Sequence, residues 1–91
     1  MRWTTRDRLR QYGGRVITID GLPAVQMVSR ATDNARRRFQ YILVSGVVWR
    51  RVLDCKGHSL SDGSPWEPIN PQDVSHIRGW HPIVDSLTEL A

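Results

Sequence analysis

Cys55, His58, His76 and His81 are the residues whose types and spacing most suggest chemistry. Cys55 and His58 stand as C-x-x-H, His76 and His81 as H-x-x-x-x-H, and seventeen residues separate the two pairs. Two such pairs are the ligand set of a zinc knuckle. Structural zinc sites, however, usually begin with two cysteines, whose thiolates provide much of the affinity, and here there is one. His81 also precedes Pro82, which biases it toward extended backbone, and Trp80 beside it asks for burial. The sequence therefore favours packing over ligation, with Cys55 a small buried hydrophobe and the histidines hydrogen-bonded packing residues. No metal and no cofactor is expected.

Nucleophilic catalysis has a weaker basis. Ser59, Ser61 and Ser64 lie near histidines, but serine is common in turns, and the chain has no nucleophile elbow, paired-carboxylate motif or glycine-rich phosphate loop. The chain reads as non-enzymatic.

Binding chemistry is better supported. Twelve of the thirteen basic residues are arginine, the side chain suited to planar, bidentate contacts with carboxylates and phosphates. Residues 1 to 51 carry a local charge of +8 and the remainder −4, within a total of +4. Such asymmetry implies an anionic partner, or halves that neutralise each other within the fold or across an oligomer. The candidate binding residues are Arg6, Arg8 and Arg10, the run Arg36, Arg37 and Arg38, and the Trp49, Arg50 and Arg51 segment, with Tyr41 a further aromatic available for stacking.

The elements that must position these residues follow from turn and strand signals. Ninety-one residues with 40% hydrophobic content support one core, so residues 1–91 form a single domain. With one cysteine, no intrachain disulfide can form. No signal-peptide pattern is visible, and the longest apolar run, Tyr41 to Trp49, is too short to span a bilayer, so a cytoplasmic location without membrane contact is expected.

Thr4 or Thr5 is placed to cap a short helix that Gly13 or Gly14 would stop. Residues 15–28 read as a hairpin around Asp20-Gly21, with Pro23 implying a looser connection or an edge strand. Residues 29–40 read as a polar loop that holds the triple arginine. Residues 39–54 give the strongest signal, a hairpin around Ser45-Gly46 with Val44 opposite Val47. That register puts Phe39, Tyr41, Leu43, Val48 and Val52 with Arg50 on the core face. Ile42, Val44, Val47 and Trp49 share the other face with Arg38, Gln40 and Arg51, which suits a surface partly covered by another segment or subunit. The Gly-, Ser- and Pro-rich residues 55–73 form a loop, ordered if Trp66 docks. A closing strand is expected at Val74 to Ile77 and a short helix from Asp85. The fold class is mainly β, a small antiparallel sheet of two hairpins plus a closing strand, with short helical turns at the termini.

Trp3, "DRL" at 7 to 9, "YGGRVITIDG" at 12 to 21, "GVVWRRV" at 46 to 52 and "VSHIRGWHPI" at 74 to 83 occur in an order that resembles domain-of-unknown-function family 551, small proteins of phage and prophage accessory regions. Arg10 stands where that family has proline, and residues 77 to 79 are inserted in the closing motif. The resemblance implies a compact sheet in which the first strand and the closing motif meet, with Trp80 and Pro82 covering it. It also implies an accessory protein that binds and inhibits a host component such as a defence complex. The functional expectation is stoichiometric binding of a host protein or complex by a homo-oligomer. Two alternatives remain open, nucleic-acid binding through the arginine clusters and a sponge for a small phosphorylated signalling molecule held between subunits.

Overall fold

Two tight turns with glycine as their second residue set the architecture. Asp20-Gly21 and Ser45-Gly46 both have positive φ at both positions (50° and 79°, 51° and 77°). This is the geometry of two-residue hairpin turns whose twist matches that of the flanking strands. The computed structural model describes residues 4–90. Its strands β1 (Gly14–Ile19), β2 (Leu22–Arg30), β3 (Arg36–Val44), β4 (Val47–Asp54) and β5 (Glu67–Pro68) form an antiparallel sheet in sequence order. The small, mainly β sheet expected from the sequence is present.

Helix α1 (Thr5–Gln11) is capped by Thr4, whose hydroxyl accepts from the Asp7 amide while the Asp7 carboxylate accepts from the Thr4 amide. This reciprocal box satisfies donors that a helix start leaves free. Helix α2 (Trp80–Leu90) packs against α1, β2 and β3 on one face of the sheet. Between the two layers, Leu9, Val25, Ile83 and Leu87 are almost fully buried, joined by Met27 and Tyr41. Burying each of the aliphatic side chains contributes about 1.5–3 kcal/mol before entropy is charged.

Several expectations are corrected. The triple arginine is not in a loop: the connection shrinks to residues 31–35, and Arg36, Arg37 and Arg38 begin β3, paired with Arg30, Ser29 and Val28. Backbone pairing supplies hydrogen bonds that composition does not reveal, and arginine stems lie well along a sheet. The closing strand at Val74 to Ile77 is absent, since Pro71–His76 forms a 3-10 turn capped by the Asn70 side chain. The terminal helix starts at Trp80 rather than Asp85. Pro82 falls in its first turn, where an N–H has no intrahelical acceptor to lose.

The closing motif therefore meets the sheet through a helix, not as a strand beside β1. Trp80 and Pro82 do cover the sheet, Pro82 buried and Trp80 packed against the core. Trp3 of the opening motif lies outside the described residues. Pro23 sits in β2, an interior strand of the sheet, opposite Thr18 and short of the stretch that pairs with β3. In a two-residue hairpin that position does not donate toward the partner strand, so proline is tolerated there without loosening the turn.

Candidate functional site

Strand alternation gives the sheet a second face that neither helix covers. The rows on this face follow from register: Ile19 with Leu22 and Val44 with Val47 next to the turns, then Ile17 with Ala24 and Ile42 with Trp49 and Pro68. Next comes the row Arg15, Gln26, Gln40, Arg51, followed by Val28, Arg38, Leu53, and finally Arg30 with Arg36. The half near the turns is apolar, and Leu22, Val44 and Val47 are among the most exposed large hydrophobic side chains. The other half is basic. No strand residue on this face is acidic.

A side-chain chain runs across the middle of the face. Gln40 Nε2 donates to Gln26 Oε1 at 2.9 Å, and Arg51 Nε donates to Gln40 Oε1 at 2.7 Å. The Arg51 guanidinium lies over the Trp66 ring, 4.7 Å from its centroid. Both glutamines are buried, so their mutual bond matters more than it would in water. Trp66 thus docks, and it anchors the 55–66 loop beside the sheet. The same loop reaches Arg38, whose Nε donates to the Cys55 carbonyl at 3.0 Å. The face is partly covered by another segment of the chain, as its mixed character implied.

Of the predicted binding residues, the sheet brings together Arg36, Arg38, Trp49 and Arg51 on this face. It separates the others. Arg37 points to the helix side and pairs with Asp33 at 3.0 Å. Arg50 also lies on the helix side, beside the Tyr41 hydroxyl. Arg6, Arg8 and Arg10 belong to α1 on that same side, and Arg8 pairs with Asp85 at 3.5 Å. Reversing the charges of Arg36 to Arg38 together would therefore disturb both faces and two internal contacts.

Sequence reading missed Leu22, Gln26 and Trp66 as parts of this surface. The first two carried a signal, since closing the Asp20-Gly21 turn with Ile19 opposite Leu22 places both on the same side as Arg15.

The metal-ligand candidates are dispersed. Among the described residues, no three His, Cys, Asp or Glu side chains converge on one point. Cys55 is exposed, contrary to the buried role expected for it. His58, His76 and His81 are exposed as well, so they are not packing residues. His58 Nδ1 lies 3.8 Å from Asp54, a carboxylate whose pKa is lowered chiefly by the His58 backbone N–H. Ser64 is buried, but its hydroxyl accepts from the Leu60 amide at 2.7 Å and so closes a loop. No described helix is long and apolar enough to cross a membrane. No family model, curated protein or solved structure matches the chain.

Proposed function

We propose that the protein is a non-enzymatic accessory binder of phage or prophage type that inhibits a host protein or complex in the cytoplasm by stoichiometric binding. The partner docks on the open sheet face. The observation that carries this reading is the composition of that face: exposed Leu22, Val44 and Val47 next to Trp49, bordered by Arg36, Arg38 and Arg51 with no acidic strand residue among them. Arginine and tryptophan dominate binding energy at protein interfaces, and a contiguous exposed apolar patch rimmed by polar groups marks such a site. The charge selects an acidic partner surface. Two copies set face to face would oppose the same arginines, so homo-oligomerisation would have to use a different surface.

Nucleic acid is the second reading, supported by the basic rows alone. The aliphatic half has no use there, and Arg38 and Arg51 already hold neighbours within the chain. Affinity capture from host lysate, followed by native mass measurement, tests the proposal. A single protein partner held in fixed ratio, with modest salt dependence, supports it. Retention of nucleic acid that falls steeply with salt would replace it with the second reading.

A further inference from the structure

On the opposite side of the sheet, between residues 76–78 and the strands, lies an open cavity of about 390 Å³ formed within the single chain. Arg50 and Arg78 line it together with His76, and none of its lining residues is acidic. Arg30 borders it too, but strand alternation assigns its side chain to the open face and its Nη1 donates to the Asn34 carbonyl at 3.1 Å. Neither Arg50 nor Arg78 has a carboxylate within ion-pair distance among the described residues. Glu67 stands opposite Arg50 in the β4–β5 register, yet no ion pair joins them, so both guanidinium groups remain available to an anion.

The rest of the wall supplies neutral donors and an apolar floor. The hydroxyl-bearing residues are Ser29, Tyr12 and Tyr41, and Phe39 and Ile77 provide the apolar surface. Burial raises the pKa of Tyr41 despite the opposing pull of Arg50, so this phenol stays protonated and able to donate. The wall is built in advance. Gly79 has φ +77°, and a Cβ there would stand 2.9 Å from Cγ of Tyr12, so the bare backbone lets the Tyr12 ring seat against this segment. Arg78 lies over that ring at 5.8 Å.

We infer that this cavity binds a small phosphomonoester carried on a planar ring, a mononucleotide or an aryl phosphate. Arg50 and Arg78 take the phosphate, whose terminal oxygens match guanidinium forks, and the apolar surface of Phe39 and Ile77 takes the ring. The volume is within the range of small-ligand sites. The neighbouring cavity shares Arg50, His76 and Ile77 but includes Glu67 and Asp73, whose charges disfavour an anion there.

Calorimetric titration of the full chain at low salt tests the site with adenosine and guanosine 5′-monophosphates, phenyl phosphate and inorganic phosphate. At least one ring phosphate should bind about tenfold or more tighter than inorganic phosphate. Arg50→Gln and Arg78→Gln should each weaken it by about tenfold, the effect of losing a charge-assisted hydrogen bond. Mononucleotides exceeding phenyl phosphate would assign the site to nucleotides, and equality would assign it to aryl phosphates generally. Arg78 is exposed, so its variant keeps the fold even if Arg50→Gln does not. Trp49→Ala, on the other face, should leave the titration unchanged, which separates failure of this inference from failure of the docking proposal. Ring phosphates that bind no tighter than inorganic phosphate, or that are unaffected by Arg78→Gln, would overturn it.

Discussion

The Trp80 ring meets Tyr41 edge-on, with centroids 6.4 Å apart and planes at 74°. Tyr41 is in the middle of β3 and Trp80 is the first residue of α2, so this one contact fixes where the C-terminal helix lands on the sheet. Edge-to-face pairs add to the gain from burial, since the positive ring edge meets the negative face. Trp80→Ala should therefore destabilise the fold by about 3 kcal/mol, measured by denaturant unfolding. His76→Ala, four residues earlier on the surface, should cost less than about 0.5 kcal/mol. Equal losses would place the seam of the fold elsewhere.

Gln40 links two partners on the open face. Gln40→Leu would leave the buried Gln26 oxygen without its donor and the Arg51 Nε without its acceptor, at a cost of about 1–3 kcal/mol. Adding Gln26→Leu should recover part of that loss, because an apolar pair leaves nothing unsatisfied between the two strands. A double-mutant cycle by chemical denaturation measures the coupling, and strict additivity would show that the bond between Gln26 and Gln40 contributes nothing to stability.

Acid sensitivity follows from two surface carboxylates. The Thr4 side chain and amide hold Asp7 below its ordinary value of 3.8, and the His58 amide, with that of Lys56, does the same for Asp54. A carboxylate depressed by folding stabilises the native state above its unfolded pKa, and that stabilisation is lost as pH falls through the folded value. Stability should hold down to about pH 5 and decline below about pH 4. Asp7→Asn and Asp54→Asn should lie below the wild type at neutral pH and converge with it in acid. A constant gap across the titration would contradict this origin.

The sheet was legible where turn chemistry and alternation agreed. Ser45-Gly46 and the pairing of Val44 with Val47 defined both faces of β3 and β4, including Trp49 and Arg51 on the side away from the core. Legibility failed where tertiary pairing overrode composition. Arg36 to Arg38 have the polarity of a loop, yet the β2 partner residues draw them into a strand and split them between faces. In α2, the spacing of Trp80, Ile83, Val84 and Leu87 has helical period, but Pro82 obscured it because its tolerance in a first turn depends on where the helix begins. Much of the candidate surface was named in advance, since the arginines and the side of the β3–β4 hairpin that holds Gln40 and Arg51 were visible, while the links to Gln26 and Trp66 depend on the β2–β3 register and on where a loop docks.

Docking of the partner on the open sheet face is tested most directly by comparing partner affinity across variants of the two sides. Leu22→Asp and Val47→Asp change exposed apolar residues of the open face, and Arg36→Glu reverses a charge at its rim. Arg6→Glu and Arg10→Glu alter exposed residues of α1 on the far side. Each open-face substitution is expected to weaken binding by about 2 kcal/mol or more, a hot-spot effect, with the α1 variants within about 0.5 kcal/mol of wild type. The reverse pattern, with folded open-face variants binding normally and α1 variants failing, would contradict the account.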